Sequence, residues 1–128
     1  MSAMETVSLR IPLKAEYVSI ARLTASGIAS LMGFDFDAIE DIKVSLSEII
    51  GKIIEIKPSD DHISIEMSNV EDGISISFIL NDNNAGNIFD NDEDSFSLAI
   101  VSALMDQIKM VKSDNTVITI TKGLGKAI

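Results

Sequence analysis

Ile39-Glu40-Asp41-Ile42-Lys43-Val44-Ser45-Leu46-Ser47-Glu48-Ile49-Ile50-Gly51-Lys52-Ile53-Ile54-Glu55 keeps one periodicity throughout. Ile39, Ile42, Leu46, Ile49, Ile50 and Ile53 recur at three and four residues and form the buried stripe of a long amphipathic helix. Asp41, Ser45, Glu48, Lys52 and Glu55 recur with the same spacing and share the opposite, polar face. The helix opens at Asp35 or Asp37. Asp37 with Glu40 makes a capping box, while a cap at Asp35 would be stapled by Phe34 and Ile39. Pro58 ends it.

Upstream, Val7, Leu9, Ile11 and Leu13 alternate with polar residues as a half-buried strand does, and Pro12 places that strand at an edge. Residues 15 to 32 are helical, with Tyr17, Ile20, Ala21, Thr24, Ile28, Leu31 and Met32 on the inward face and Gly33 as the stop. Arg22, off that face, is expected to be exposed. Downstream, Ile63, Ile65 and Met67 form one alternating run and Ile74, Ile76, Phe78 and Leu80 another. Glu71-Asp72-Gly73 makes the hairpin turn between them. A polar loop covers 81 to 94. A third helix, about 95 to 107, carries Leu98, Val101, Leu104 and Met105 inward. A last hairpin joins Ile108–Val111 to Thr116–Thr121 across Ser113-Asp114-Asn115. The expected fold is an α/β two-layer sandwich of one domain over 1–128: a mostly antiparallel five-stranded sheet with three helices on one face.

Composition narrows the function. The 128 residues are 46% hydrophobic, enough for a core, with no Trp and five Phe, so that core is aliphatic. There is no Cys, which removes disulfides and thiolate metal sites and fits a cytoplasmic location. No membrane span or secretory signal is visible. The net charge of −10 argues against nucleic acid and anionic membrane and suits a basic protein partner.

The order of elements, together with Glu16-Tyr17-Val18-Ser19-Ile20-Ala21-Arg22-Leu23-Thr24, Ile39 to Glu48, Leu104-Met105-Asp106 and Thr121-Lys122, resembles the anti-sigma factor serine kinases of the RsbW and SpoIIAB type, within the GHKL ATPase superfamily. The resemblance covers nearly the whole chain. It implies a homodimer that holds a sigma factor inactive and phosphorylates an antagonist protein on Ser or Thr. It places Glu48 at the general-base position. Arg22, with Glu16 beside it, falls where the family contacts its partner.

The nucleotide-binding positions depart from that family. Its Ser-Glu-x-x-x-Asn segment, whose Asn helps hold magnesium on ATP, reads Ser47-Glu48-Ile49-Ile50-Gly51-Lys52 here. Lys offers a magnesium ion no oxygen ligand, and Glu48 and Lys52 have the i, i+4 order of a helical ion pair. The adenine-contacting Asp-x-Gly-x-Gly turn has its nearest match in Asp82-Asn83-Asn84-Ala85-Gly86, where Asn84 replaces a glycine that favours positive φ. The glycine-rich opening of the third helix reads Asp94-Ser95-Phe96-Ser97-Leu98, behind Asp90, Asp92 and Glu93. Carboxylates there compete with phosphate for the positive end of the helix. Lys52, Asp82, Asn84, Gly86, Ser95 and Ser97 are therefore the positions of a degenerate ATP site.

Other motifs are weaker. His62, beside Asp60 and Asp61, reads as a turn residue rather than a metal ligand. Asp90 to Asp94 lacks the spacing of a calcium loop. Gly123-Leu124-Gly125 follows a strand with no helix after it, which is no phosphate loop. The expectation is a regulatory binding module that captures a sigma factor or an antagonist without ATP hydrolysis, with no cofactor and no metal. Its alternatives are an ATP-dependent serine/threonine kinase using Mg-ATP at an atypical site, and a dimeric scaffold with neither nucleotide nor sigma factor.

Overall fold

The computed structural model describes residues 4–81 and 92–125, and the side chains of these except 92–95. The chain runs β1 (Thr6–Pro12), a single 3-10 turn (Ala15–Tyr17), α1 (Val18–Met32), α2 (Phe36–Glu55), β2 (His62–Val70), β3 (Gly73–Leu80), α3 (Asp92–Leu104), β4 (Gln107–Lys112) and β5 (Thr116–Gly123). Among the described residues the strands form one sheet in the order β1-β2-β3-β5-β4, with every neighbouring pair antiparallel. β1 is an edge strand, where Pro12 costs no ladder hydrogen bond.

Alternation decides which side of the sheet is covered. Ile63, Ile65 and Met67 of β2, Ile74, Ile76, Phe78 and Leu80 of β3, and Ile118 and Ile120 of β5 are buried under the helices. The other face carries hydroxyls that pair across strands, Thr6 with Ser68 at 2.8 Å and Ser77 with Thr119 at 2.9 Å. No helix among the described residues is long and apolar enough to cross a membrane.

The helix signals are resolved in detail. Gly33, at φ 96°, ends α1; its N–H donates to Ser30 O and that of Phe34 to Ala29 O, each at 3.1 Å. This is the paired C-terminal arrangement that needs a left-handed residue. Of the two caps open to α2, the chain uses Asp35, whose Oδ1 accepts from the Ala38 N–H at 2.8 Å. Phe34 is buried and Ile39 packs on the core, as the staple requires. α2 stops at Glu55, before Pro58, with Lys57 in the left-handed region.

Several expectations are corrected. The inward face of α1 is Ala21, Ala25 and Ala29, all fully buried, while Ile20 is 45% and Leu31 90% exposed. α1 is apolar around much of its circumference, so periodicity alone left its rotation open. Alanines at four-residue spacing let α1 approach closely, and that packing selects their side. Ser45, placed on the polar face of α2, is completely buried. α3 begins at Asp92 and ends at Leu104, about three residues earlier than read, so Asp92-Glu93-Asp94 lie inside its first turn.

Candidate functional site

Glu48 sits in the C-terminal half of α2, where α3 packs across it. Its Oε2 accepts a hydrogen bond from Ser97 Oγ at 3.3 Å, and Ser97 is 5% exposed. Lys52, one turn further on, places its Nζ 2.9 Å from Glu55 Oε2. The sequence paired Lys52 with Glu48 at i, i+4. Instead the ammonium is paired with Glu55 at i+3, and Glu48 is engaged by α3. Glu55 is mostly exposed, so its ion pair with Lys52 contributes only about 0.3–0.5 kcal/mol.

Arg22 meets the same stretch of α2 from the other side. Its Nη1 donates to Ser47 Oγ at 3.1 Å, and Ser47 Oγ donates to Lys43 O at 2.9 Å. Arg22 is half-buried at the seam of α1 and α2, which corrects the expectation that it is exposed. The seam catches it because Ser47, adjacent to Glu48 in sequence, points toward α1. Glu16 is exposed in the 3-10 turn before α1. On either side of Arg22 in the sequence, Ile20 is 45% and Leu23 71% exposed. Sequence reasoning missed these two as surface residues because it turned Ile20 inward. The run of small residues at 21, 25 and 29 was the signal that could have found them.

Asp82, Asn84 and Gly86 lie outside the described residues, as does the side chain of Ser95. The others fall into two groups. Glu48, Lys52 and Ser97 come together where α2 and α3 cross; Arg22 and Glu16 lie on α1, with Arg22 joined to that crossing through Ser47.

Can these groups hold a magnesium–nucleotide? Ser97 occupies only one oxygen of the Glu48 carboxylate, Oε2, and leaves Oε1 as the one a general base would use. A magnesium ion needs oxygen donors, and Lys52 presents a cation. The Lys52 ammonium on α2 does not fit a magnesium ion.

A second cluster lies at the start of β2. The ligand atoms of Asp60, Asp61 and His62 lie within 4.8 Å of one another. Their hydrogen bonds close a turn: the His62 N–H donates to Asp60 Oδ1 at 3.1 Å, and His62 Nδ1 lies 2.8 Å from Asp61 Oδ1. The His62 hydrogen bond, with its charge attraction second, holds the exposed Asp61 carboxyl below the usual carboxylate range.

This five-stranded antiparallel sheet under three helices is a histidine-kinase-like ATPase architecture of the anti-sigma type. In a crystal structure from Mycobacterium tuberculosis containing RsbU and RsbW domains, 93% of this chain superposes on 32% of the other with a TM-score of 0.71 at 18% identity. That likeness concerns the fold. In sequence, the chain is 31% identical to serine-protein kinase RsbW of Bacillus cereus strain Q1, over 95% of its own length and 87% of the relative's. It is similarly 31% identical to serine-protein kinase RsbW of Bacillus thuringiensis subsp. konkukian, with the same coverage. No protein-family model matches. The chain belongs to the RsbW family of anti-sigma factor kinases.

Proposed function

We propose that this protein regulates by stoichiometric capture of a protein partner, a sigma factor or its antagonist, without ATP hydrolysis. The observation that carries the reading is the crossing of α2 and α3. Glu48, which the resemblance puts at the general-base position, accepts from Ser97, and the Lys52 ammonium stands where the resemblance puts the metal-binding Asn. Capture needs only a complementary surface, and α1 supplies one. Glu16, Ile20 and Leu23 face solvent beside Arg22, whose guanidinium is steadied by Ser47. Apolar side chains next to a held charge are the composition of a protein-binding patch. Membership of the RsbW family directs the choice of partner class, and a homodimer is part of the proposal only through the resemblance in sequence.

A second reading has one observation in its favour. Glu48 is retained, and the named relatives are serine-protein kinases. Titration calorimetry separates the two. With Mg-ATP or Mg-ADP added at millimolar concentration, no binding heat is expected. Micromolar affinity, or transfer of labelled phosphate to a co-purified partner, would establish the kinase instead.

A further inference from the structure

At the end of the helical layer remote from Glu48 lies a groove that the reading above does not use. It has a volume of about 440 Å³ and runs from the last turn of α1 to the sheet end at Val7 and Val70, with Leu124 at its border. α1 ends and α2 begins here, through Gly33 and Asp35. Glu48 is therefore about 20 Å further along α2, at 1.5 Å per residue.

The groove is apolar and open. Leu31 is 90%, Val7 45% and Leu124 40% exposed, and Ile28 lies half-buried behind them. Its rim is acidic. Glu5 and Asp72 line it, and among the described residues none that lines it is Lys or Arg. The rim is also held in place. The Glu5 N–H donates to Asn69 Oδ1 at 2.6 Å, and the Asn69 N–H donates to Glu5 O at 3.2 Å. On the other side the Leu124 N–H donates to Asp72 O at 2.7 Å, fixing an exposed Leu next to an exposed acid. A site whose borders are already ordered loses less freedom on binding.

We infer that this groove docks a basic amphipathic helix of a protein partner, independently of the α1 surface at Arg22. The helix would lay Leu or Ile side chains onto Val7, Leu31 and Leu124 and direct Lys or Arg toward Glu5 and Asp72, the groove mode of helix recognition. Charge complementarity selects this occupant. A second copy in a two-fold contact would set this acidic rim against the same acidic rim, and like charges brought together disfavour association. Nucleic acid and anionic lipid are repelled by the same rim.

The test titrates the full isotope-labelled chain with a synthetic helical peptide of Leu on one face and Lys on the other. A Leu/Glu peptide of the same pattern is the control. Saturable amide shifts are expected at Val7, Leu31, Asn69, Asp72 and Leu124, with the Lys peptide only. The Glu5→Lys, Asp72→Lys double variant and Leu31→Asp should each weaken binding at least tenfold, while Glu66→Lys, Asp114→Lys should stay within twofold. Leu31 is almost fully exposed, so its variant keeps the fold, which circular dichroism verifies. Equal weakening by the Glu66, Asp114 pair would reduce the effect to net charge. Equal binding of the Leu/Glu peptide would remove the complementarity. Self-association abolished by Leu31→Asp would assign the groove to a second copy. Binding that appears only after residues 126–128 are deleted would assign it to the chain's own tail. Each of these four results overturns the proposal.

Discussion

Ser45 stands in the middle of α2 with its Oγ sealed from water and without a hydrogen-bond partner among the described residues. A buried hydroxyl left unpaired costs about 1–3 kcal/mol, and Ala is the better helix former. Ser45→Ala should therefore raise the stability by about 1 kcal/mol, read from the midpoint of urea unfolding. A loss would mean that the hydroxyl is bonded in solution. Seven positions on, Lys52 raises a different question. If the ammonium alone excluded nucleotide, Lys52→Asn would restore binding. It is expected not to, because Ser97 still engages Glu48 and the first turn of α3 still carries Asp92, Glu93 and Asp94. Calorimetry with Mg-ATP checks this, and rescue by the single change would show that the acids of α3 matter little.

At the scale of elements, the turns into and between helices and strands carry measurable weight. The Asp35 cap satisfies one of the orphan N–H groups of α2 and places a carboxylate at its positive end. Asp35→Ala should cost about 1 kcal/mol, with the loss visible as a lower thermal midpoint and no change in partner affinity. The β2–β3 hairpin is tied to β5 by a close backbone approach. A Cβ on Gly73 would run into the carbonyl oxygen of Lys122. Gly73→Ala should cost about 1–3 kcal/mol, the usual range for overpacking, because backbone on a central strand cannot easily give way. Hydrogen exchange should quicken in β3 and β5 first; unchanged exchange there would show that the sheet absorbs the methyl.

For the molecule as a whole, the net charge of −10 makes Arg22 an uncommon positive point on an acidic body. Reversing it tests capture directly. Arg22→Glu loses the bond to Ser47, at a net cost to folding of about 1 kcal/mol. Reversal of an interface charge costs far more in a complex. The partner, identified by pull-down from the host, should therefore bind Arg22→Glu at least tenfold more weakly at matched salt, with the fold intact by circular dichroism. Equal affinity would take Arg22 out of the interface and leave the patch at Ile20 and Leu23 without its charged anchor.

The architecture was legible in the chain because its signals are local. Strict alternation on β2, β3 and β5, the stripe from Ile39 to Ile53, Gly33 and the Glu71-Asp72-Gly73 turn each act within a few residues. Periodicity states that a helix has two faces, and it states which is apolar only when one face is polar. α1 has no such contrast, so close packing of Ala21, Ala25 and Ala29 decided that Ile20, Leu23 and Leu31 face water. The same held for the site. Spacing placed Glu48 and Lys52 on one face, but their partners come from distance: Ser97 is 49 residues away and arrives only when α3 folds back over α2. Arg22 and Ser47, 25 residues apart, meet only when α1 packs on α2. Local propensity is written in neighbouring residues, whereas the pairing of polar groups depends on which surfaces the core brings together, and that is settled by tertiary packing alone.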